Sequence, residues 1–556
     1  MLYTAHVDTF ARDHLPQPEE QPEFRFELPE LQLPERLNCA TELLDRHVRE
    51  GRGDRRCVSA PGGPAWTYAE LQRQADRVAH VLVEDCGLVP GNRVLLRAAN
   101  KPMLVACWFA VMKAGGIAVG TMPMLRAKEL GQIIEKAQVT IALCDAALRD
   151  ELDAAAAAGP TLAKIVCFGA NTAATSPRHP ERSERSHPSL ESLMARHATP
   201  FTNVDAGATD TCLLAFTSGT TGQPKATMHF HRDVMASCVC FPKHVLRAEP
   251  SDVFIGSPPL AFTFGFGGLT VFPMHIGAST VLLEKAGPPN LLEAIVAHRA
   301  TVCVTAPTSY RAMAAGAREK NVGARDGGPL RKCVAAGEAL PAATRSLWRE
   351  ATGIEIIDGI GATEMFHIFI AADEANARPG ATGTAVLGYR ARVVDDDGHD
   401  VPAGTIGRLA VQGPTGCRYL SDPRQADYVK GGWNYTGDAY LQDADGYFFY
   451  QSRTDDMIIS AGYNIAAIEV EDVLLRHEAV AECAVIGHPD EERGQIVKAF
   501  VVLRALHRGD EAMVKALQDF VKATVAPYKY PRAVEFREAL PRTETGKLQR
   551  FRLRAP

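Results

Sequence analysis

No run in this 556-residue chain is both long and apolar enough to suggest a bilayer span. The most apolar stretches, 103–112 and 255–274, are short or interrupted by glycine and proline, whereas a spanning helix needs about 20 apolar residues. The N-terminal stretch MLYTAHVDTFARDHLPQPEE lacks a basic segment followed by an apolar core, so no signal peptide is expected. C-x-x-C pairs are absent. The 13 cysteines are scattered and odd in number, which argues against a disulfide framework or a zinc site. They are expected to be buried, reduced thiols of a cytoplasmic protein, with Cys303 and Cys333 in core runs. There is no long block of one charge sign, and 60 Lys+Arg against 66 Asp+Glu leave a net charge of −6. That balance argues against a general nucleic-acid binder. No internal repeat is visible.

What is present is the composition of a globular protein, 46% hydrophobic and 23% charged, and too long for one ordinary core. Residues 92–97, 117–119 and 139–144 read as strands, with helices at 104–113 and 128–138 between them. This βαβ rhythm predicts layered α/β architecture with a largely parallel sheet. A stretch rich in Ser, Pro and charge between Gly169 and Ser189 reads as a mobile surface excursion. Strand-like segments resume at 211–216, 302–305 and 332–336. From about residue 383, short strands at 392–394, 408–411 and 447–450 suggest a β-rich subdomain. A further unit follows: helix 469–476, strands 482–486 and 498–503, helix 511–524 and strand 534–536. The expected organisation is α/β: a large N-terminal domain, 1–454, and a small mobile α+β domain, 455–556.

The stretch 217-TSGTTGQPK-225 poses a chemical question. Small residues let backbone N–H groups approach an anion closely, hydroxyls donate to its oxygens, and a lysine adds a point charge. A phosphate loop fits, as does a plain polar turn after a strand. It is not the G-x-x-x-x-G-K-[ST] loop, because Lys225 follows Pro224 and precedes Ala226. Downstream lie 336-AGEALP-341, 358-DGIGATE-364, 435-YTGD-438, 453-RTDDMIISAGYNI-465 and 541-PRTETGKLQR-550. With these motifs in this order, the chain resembles the acyl-adenylate-forming superfamily of acyl- and aryl-CoA ligases, luciferases and adenylation domains of peptide synthetases.

The resemblance implies an enzyme using ATP, Mg²⁺ and coenzyme A. In it, Thr217, Ser218, Gly219, Thr220, Thr221, Gly222 and Lys225 wrap the β- and γ-phosphates. Gly337, Glu338 and Ala339 border the adenine, together with Asp358, Gly359, Ile360 and Gly361; Ile360 gives apolar packing where many members have an aromatic ring. Thr363 donates to a phosphate oxygen, and Glu364 is the hard oxygen ligand for Mg²⁺. Asp438 accepts from the ribose hydroxyls, and Arg453 adds a ribose or phosphate contact. Lys547 bridges the carboxylate and the α-phosphate, stabilising charge where two anions meet. Asp455 is the hinge, and Ala461, Gly462 and Tyr463 line the pantetheine tunnel.

The acid pocket is placed near 257-SPPLAFTFGFGG-268 and the segment after Glu364. Phe262, Phe264 and Phe266 recur at period two, as on one face of a strand or along a pocket wall. With Gly361 and His367 they would make a flat apolar slot for a ring; a core histidine is the alternative for His367. The wording of 357-IDGIGATEMFHIF-369, 5-AHVDTFARDHLP-16 and 35-ERLNCATELLD-45 is similar to benzoate- and 2-aminobenzoate-type CoA ligases. The expected partners are a small aromatic carboxylate, ATP and CoA, with no nucleic acid or membrane, and a homodimer as one option. Open alternatives are a medium-chain or other acyl-CoA ligase, an enzyme loading a carrier-protein thiol, and a binding protein without turnover.

Overall fold

The computed structural model describes residues 3–554 except 160, 170–188, 219–223, 324–326, 454–457, 461–462, 491–492, 526 and 543–547. The surface excursion expected at 170–188 lies outside the described residues. The chain forms two compact units: 1–304 with 361–367 and 412–432, and 305–360 with 368–411 and 433–556. The boundary expected at 454/455 falls within the second of these.

In the first unit, one sheet runs in the order Lys164–Phe168, Ile141–Asp145, Arg93–Arg97, Ile117–Thr121, Thr211–Ser218, Pro224–Phe230. Its strands pair in parallel except the last, which folds back antiparallel on Thr211–Ser218. The parallel strands Arg93–Arg97, Ile117–Thr121 and Ile141–Asp145 are buried along their length, as strands covered on both faces must be. The helix Pro102–Lys113 follows the first of them. Proline starts it at a position with no backbone donor to lose, and all its residues but Met103 are buried. A helix that is apolar all round belongs inside a large core, where each buried Leu, Val, Phe or Met contributes about 1.5–3 kcal/mol. Helix Tyr68–His80 is amphipathic instead. Thr67 and Glu70 cap it reciprocally, at 3.2 and 2.8 Å. A second parallel set joins Val302–Thr305, Val253–Gly256, Ser279–Val281 and Arg56–Ser59.

In the second unit, Lys332–Ala335 and Ile356–Gly361 pair in parallel. Antiparallel strands Ile406–Gln412, Trp433–Gln442 and Phe448–Arg453 form the expected β-rich part. Val480–Asp490 then pairs antiparallel with Gly494–Leu503, which pairs in parallel with Ala533–Phe536. Helices Ala467–Leu474 and Glu511–Thr524 pack on these strands. Two apolar clusters, from Ile458 to Leu553, are built from this part of the chain alone.

Of the two arrangements left open for Phe262, Phe264 and Phe266, one face of a strand is ruled out here. Residues 263–276 are helical, not a strand, as α-helix Thr263–Phe266, π-helical turn Gly267–Val271 and α-helix Phe272–Ile276. Period two in a helix sends alternate side chains about 200° apart. Phe266 therefore stacks on Trp108 in the core, ring centroids 4.3 Å apart, while Phe264 faces His367. Phe262 precedes the helix and is half-buried. The expected burial of the cysteines is seen: all but Cys483, which is half-buried, are buried.

Candidate functional site

In the first unit, the hairpin Thr211–Ser218/Pro224–Phe230 holds the ends of the predicted phosphate loop, with Thr217 opposite Lys225 and Ser218 opposite Pro224. Gly219, Thr220, Thr221 and Gly222 lie outside the described residues. Thr217 Oγ1 is buried and has no hydrogen-bond partner among the described residues. An unmet buried hydroxyl costs about 1–3 kcal/mol, which a ligand oxygen would relieve. Lys225 reaches Tyr419, its Nζ 2.7 Å from the phenol oxygen and 3.5 Å from Glu364 Oε1. Tyr419 in turn donates to the same Glu364 oxygen at 2.5 Å. Burial, then the Glu364 charge, keeps the phenol protonated far above its usual range. The direction of the chain is therefore fixed: ammonium to phenol, phenol to carboxylate. The sequence reading missed Tyr419. No motif surrounds it; it arrives beside Lys225 through a backbone bridge between Thr227 and Tyr419.

Glu364 sits in the 3₁₀ turn Thr363–Met365, buried. The Thr363 carbonyl accepts from His229 Nε2 at 2.8 Å. Because a carbonyl can only accept, that nitrogen carries the proton, and burial lowers the ring's pKa to about 4 and keeps it neutral. Phe366 follows with φ +69°, a conformation costing an L-residue about 1–3 kcal/mol. This turn separates Glu364 from His367, so the carboxylate and the imidazole leave the chain in different directions.

His367 is buried among Phe272, Phe264 and Phe241, with centroids at 4.4, 5.5 and 5.8 Å. Burial depresses it to about 3, so it is neutral; the Phe264 backbone works weakly in the opposite direction. Among the described residues, neither ring nitrogen has a hydrogen-bond partner of good geometry. Gly267 allows the close approach: a Cβ there would lie 2.6 Å from His367 Cδ2. Gly361, in the same unit, is exposed. The structure thus gathers Phe264 and His367 and turns Phe266 away.

In the second unit, register pairs Ala335 with Asp358. The C-terminal ends of two parallel strands therefore present 336–339 and 358–360 side by side, the usual place for a ligand in an open α/β sheet. Asp358 and Gly359 are buried and Ile360 is half-buried. Burial raises Asp358 from 3.8 to about 7, partly offset by Arg345 and the Gly359 backbone. Gly337 is exposed with φ +91°, and Glu338 and Ala339 are half-buried. Glu338 accepts from Arg542 at 3.2 Å, and Arg542 also pairs with Glu482 at 2.9 Å. Thus the chain five residues before Lys547 is tied to the 337–339 segment. Lys547 itself lies outside the described residues.

Asp438 and Arg453 are cross-strand partners. Arg453 Nη1 donates to Asp438 Oδ1 at 3.0 Å and to the Thr436 carbonyl at 2.9 Å. Gly437 takes φ +77° there, a backbone conformation that strains any residue with a side chain, and the atoms nearest to it belong to the Arg453 guanidinium. Asp455, Ala461 and Gly462 lie outside the described residues; Tyr463 pairs with Ser460 in a short hairpin.

Residues 44–419 match the AMP-binding enzyme family, and residues 469–547 match the AMP-binding enzyme C-terminal domain. The chain belongs to this family. It is 33% identical over 531 residues to a benzoate–CoA ligase of Thauera aromatica, covering 95% of this chain and 97% of the relative. Over 524 residues it is 32% identical to a 4-hydroxybenzoate–CoA/benzoate–CoA ligase of Rhodopseudomonas palustris, covering 93% and 94%. The anthranilate CoA ligase AuaEII, solved with anthranoyl-AMP, superposes with TM-score 0.86 at 34% identity, covering 95% of this chain and 98% of that one. The AMP-binding enzyme is thus an α/β protein of the adenylate-forming superfamily, resembling benzoate- and anthranilate-CoA ligases.

Proposed function

We propose that this AMP-binding enzyme is an AMP-forming ligase that joins an aromatic carboxylate, with benzoate or 2-aminobenzoate favoured, to coenzyme A. The observation that carries the aromatic reading is the box around His367: a neutral imidazole whose nitrogens have no well-formed hydrogen bond among the described residues, enclosed by Phe241, Phe264 and Phe272. A flat ring suits such a slot, and a ring amino or hydroxyl group would satisfy the imidazole. Also in support are the ligases of benzoate, 4-hydroxybenzoate and anthranilate among its relatives.

In this reading a carboxylate oxygen attacks the α-phosphorus of ATP, and pyrophosphate leaves. Lys225 and the orphaned Thr217 hydroxyl bind phosphate oxygens. Tyr419 orients Lys225 and Glu364 through its two short hydrogen bonds. A carboxylate beside phosphates is a donor set suited to Mg²⁺, and Glu364 would hold it; the ion supplies charge neutralisation when bound. Asp438, held by Arg453, receives the ribose hydroxyls. Glu338, Asp358 and Ile360 border the adenine. Lys547 aligns the carboxylate against the α-phosphate. Residues 455–556, with apolar clusters of their own, then turn about Asp455. Lys547 leaves and 461–463 arrive to guide the CoA thiolate to the acyl carbon, releasing AMP. The reading places the enzyme in the cytoplasm.

The test is acid-dependent AMP release with ATP and Mg²⁺, with and without CoA, across benzoate, 2-aminobenzoate, 4-hydroxybenzoate, hexanoate and acetate. CoA-dependent turnover strongest on an aryl acid is expected. Preference for hexanoate would refute the aryl pocket. Pyrophosphate exchange without CoA-dependent turnover would move the acceptor to a carrier-protein thiol.

A further inference from the structure

We propose that His80, Glu84 and His197 form a binding site for a borderline divalent cation of the Zn²⁺, Co²⁺ and Ni²⁺ class. His80 is the last residue of helix Tyr68–His80, and Glu84 lies in the π-helical turn Val81–Asp85 that continues it. Such turns often mark functional positions. The spacing brings Glu84 Oε1 to 2.6 Å from His80 Nδ1. From the chain after helix Leu190–Met194, His197 brings its Nδ1 to 3.5 Å from the other Glu84 oxygen. One nitrogen of each ring and one Glu84 oxygen lie within 4.8 Å of one another.

The outer nitrogens are also held. His197 Nε2 is 3.0 Å from Asp85 Oδ2, and Arg196 anchors the same carboxylate at 2.7 Å. His80 Nε2 faces Thr199 Oγ1 at 3.4 Å. This is the arrangement in which a carboxylate or hydroxyl behind an imidazole fixes its tautomer and turns its other nitrogen towards a metal. The rings are nearly parallel, 5.3 Å apart, and the edge of Phe201 packs on His80 at 5.0 Å. The imidazoles are thus ordered before any cation arrives.

Exposure favours binding. The two histidine side chains are 15% and 13% exposed and Glu84 is 54% exposed, so water can complete the coordination shell. Two imidazole nitrogens and one carboxylate oxygen suit Zn²⁺, Co²⁺ or Ni²⁺; Mg²⁺ and Ca²⁺ prefer all-oxygen shells. The bound cation would clip the end of helix Tyr68–His80 to the chain at 195–199. Its donor set differs from the oxygen donors proposed around Glu364.

The test uses the full chain without a histidine tag, stripped with EDTA and titrated with Co²⁺ by visible absorption and with Zn²⁺ by calorimetry. One equivalent is expected to bind, with a rise in Tm and no displacement by millimolar Mg²⁺. His80→Ala and His197→Ala should weaken binding by more than the roughly 10- to 100-fold that loss of a supporting group costs, and Asp85→Asn by about tenfold. Glu84→Gln, at an exposed position, carries the same test should either alanine variant fold poorly. His399→Ala alters the exposed Asp395, Asp397 and His399 group and should leave binding unchanged. Absence of binding, binding indifferent to the His80, Glu84 and His197 changes, or loss on His399→Ala overturns the proposal.

Discussion

Replacing Tyr419 by phenylalanine removes the hydroxyl that bridges Lys225 and Glu364 beside their direct 3.5 Å contact. The ring and its packing remain, including the Lys225 ammonium 4.8 Å above it. What disappears is a hydroxyl that accepts from Lys225 at 2.7 Å and donates to Glu364 at 2.5 Å. A hydrogen bond to a charged group contributes about 1.5–3 kcal/mol. The variant still has Lys225 and Glu364 at 3.5 Å, able to draw together directly. The net loss is therefore set by one such bond, not two. If both charges act on the ATP phosphates, kcat/KM for ATP should fall about ten- to hundredfold, at 1.36 kcal/mol per decade. The assay is pyrophosphate exchange against ATP concentration at saturating acid, beside a thermal melt of each protein. A kcat/KM within about twofold of the parent, at unchanged Tm, would refute the claim that Tyr419 orients these two side chains.

Further predictions concern the second unit. Asp358 ionises near 3.8 when unfolded but keeps its proton to about 7 when folded, so its contribution to stability declines as pH rises from 4 to 7 and then levels off. Asp358→Asn cannot ionise; its stability gain over the parent should grow across that range to at most about 4 kcal/mol, and a pH-independent gain in Tm would contradict the assignment. Lys547→Ala should cut adenylate formation by about 10²- to 10³-fold with ATP binding largely kept, measured by pyrophosphate exchange and calorimetry; unchanged turnover would remove Lys547 from the chemistry. Gly437→Ala places a side chain at φ +77° and 2.6 Å from Arg453. It should destabilise by about 1–3 kcal/mol and raise the KM for ATP, and a parental melt would show that the turn relaxes freely.

Much of the scaffold was legible because period and punctuation were unambiguous. The strand 302–305 and the helix 511–524 appear with the expected bounds, as Val302–Thr305 and Glu511–Thr524. Residues 262–266 leave a strand face and a pocket wall equally open, because alternating Phe satisfies both patterns. Only the packing of Phe266 on Trp108, with Phe264 towards His367, reveals the helix. Tyr419 was illegible for a different reason: its partners Lys225 and Glu364 are 194 and 55 residues away, and no local spacing encodes such a meeting.

By itself the sequence determined which chemical groups the chain owns and in what order. Ordered Gly-, Thr-, Glu- and Lys-bearing motifs restrict the chemistry to a family, since backbone approach and donor type are properties of residues. The tertiary structure decided the state of each group. Burial makes Asp358 a weak acid and His367 a neutral base, strand register pairs Arg453 with Asp438, and a long-range bridge sets Tyr419 between Lys225 and Glu364. Desolvation and hydrogen bonding depend on neighbours brought from far along the chain, which no local reading supplies.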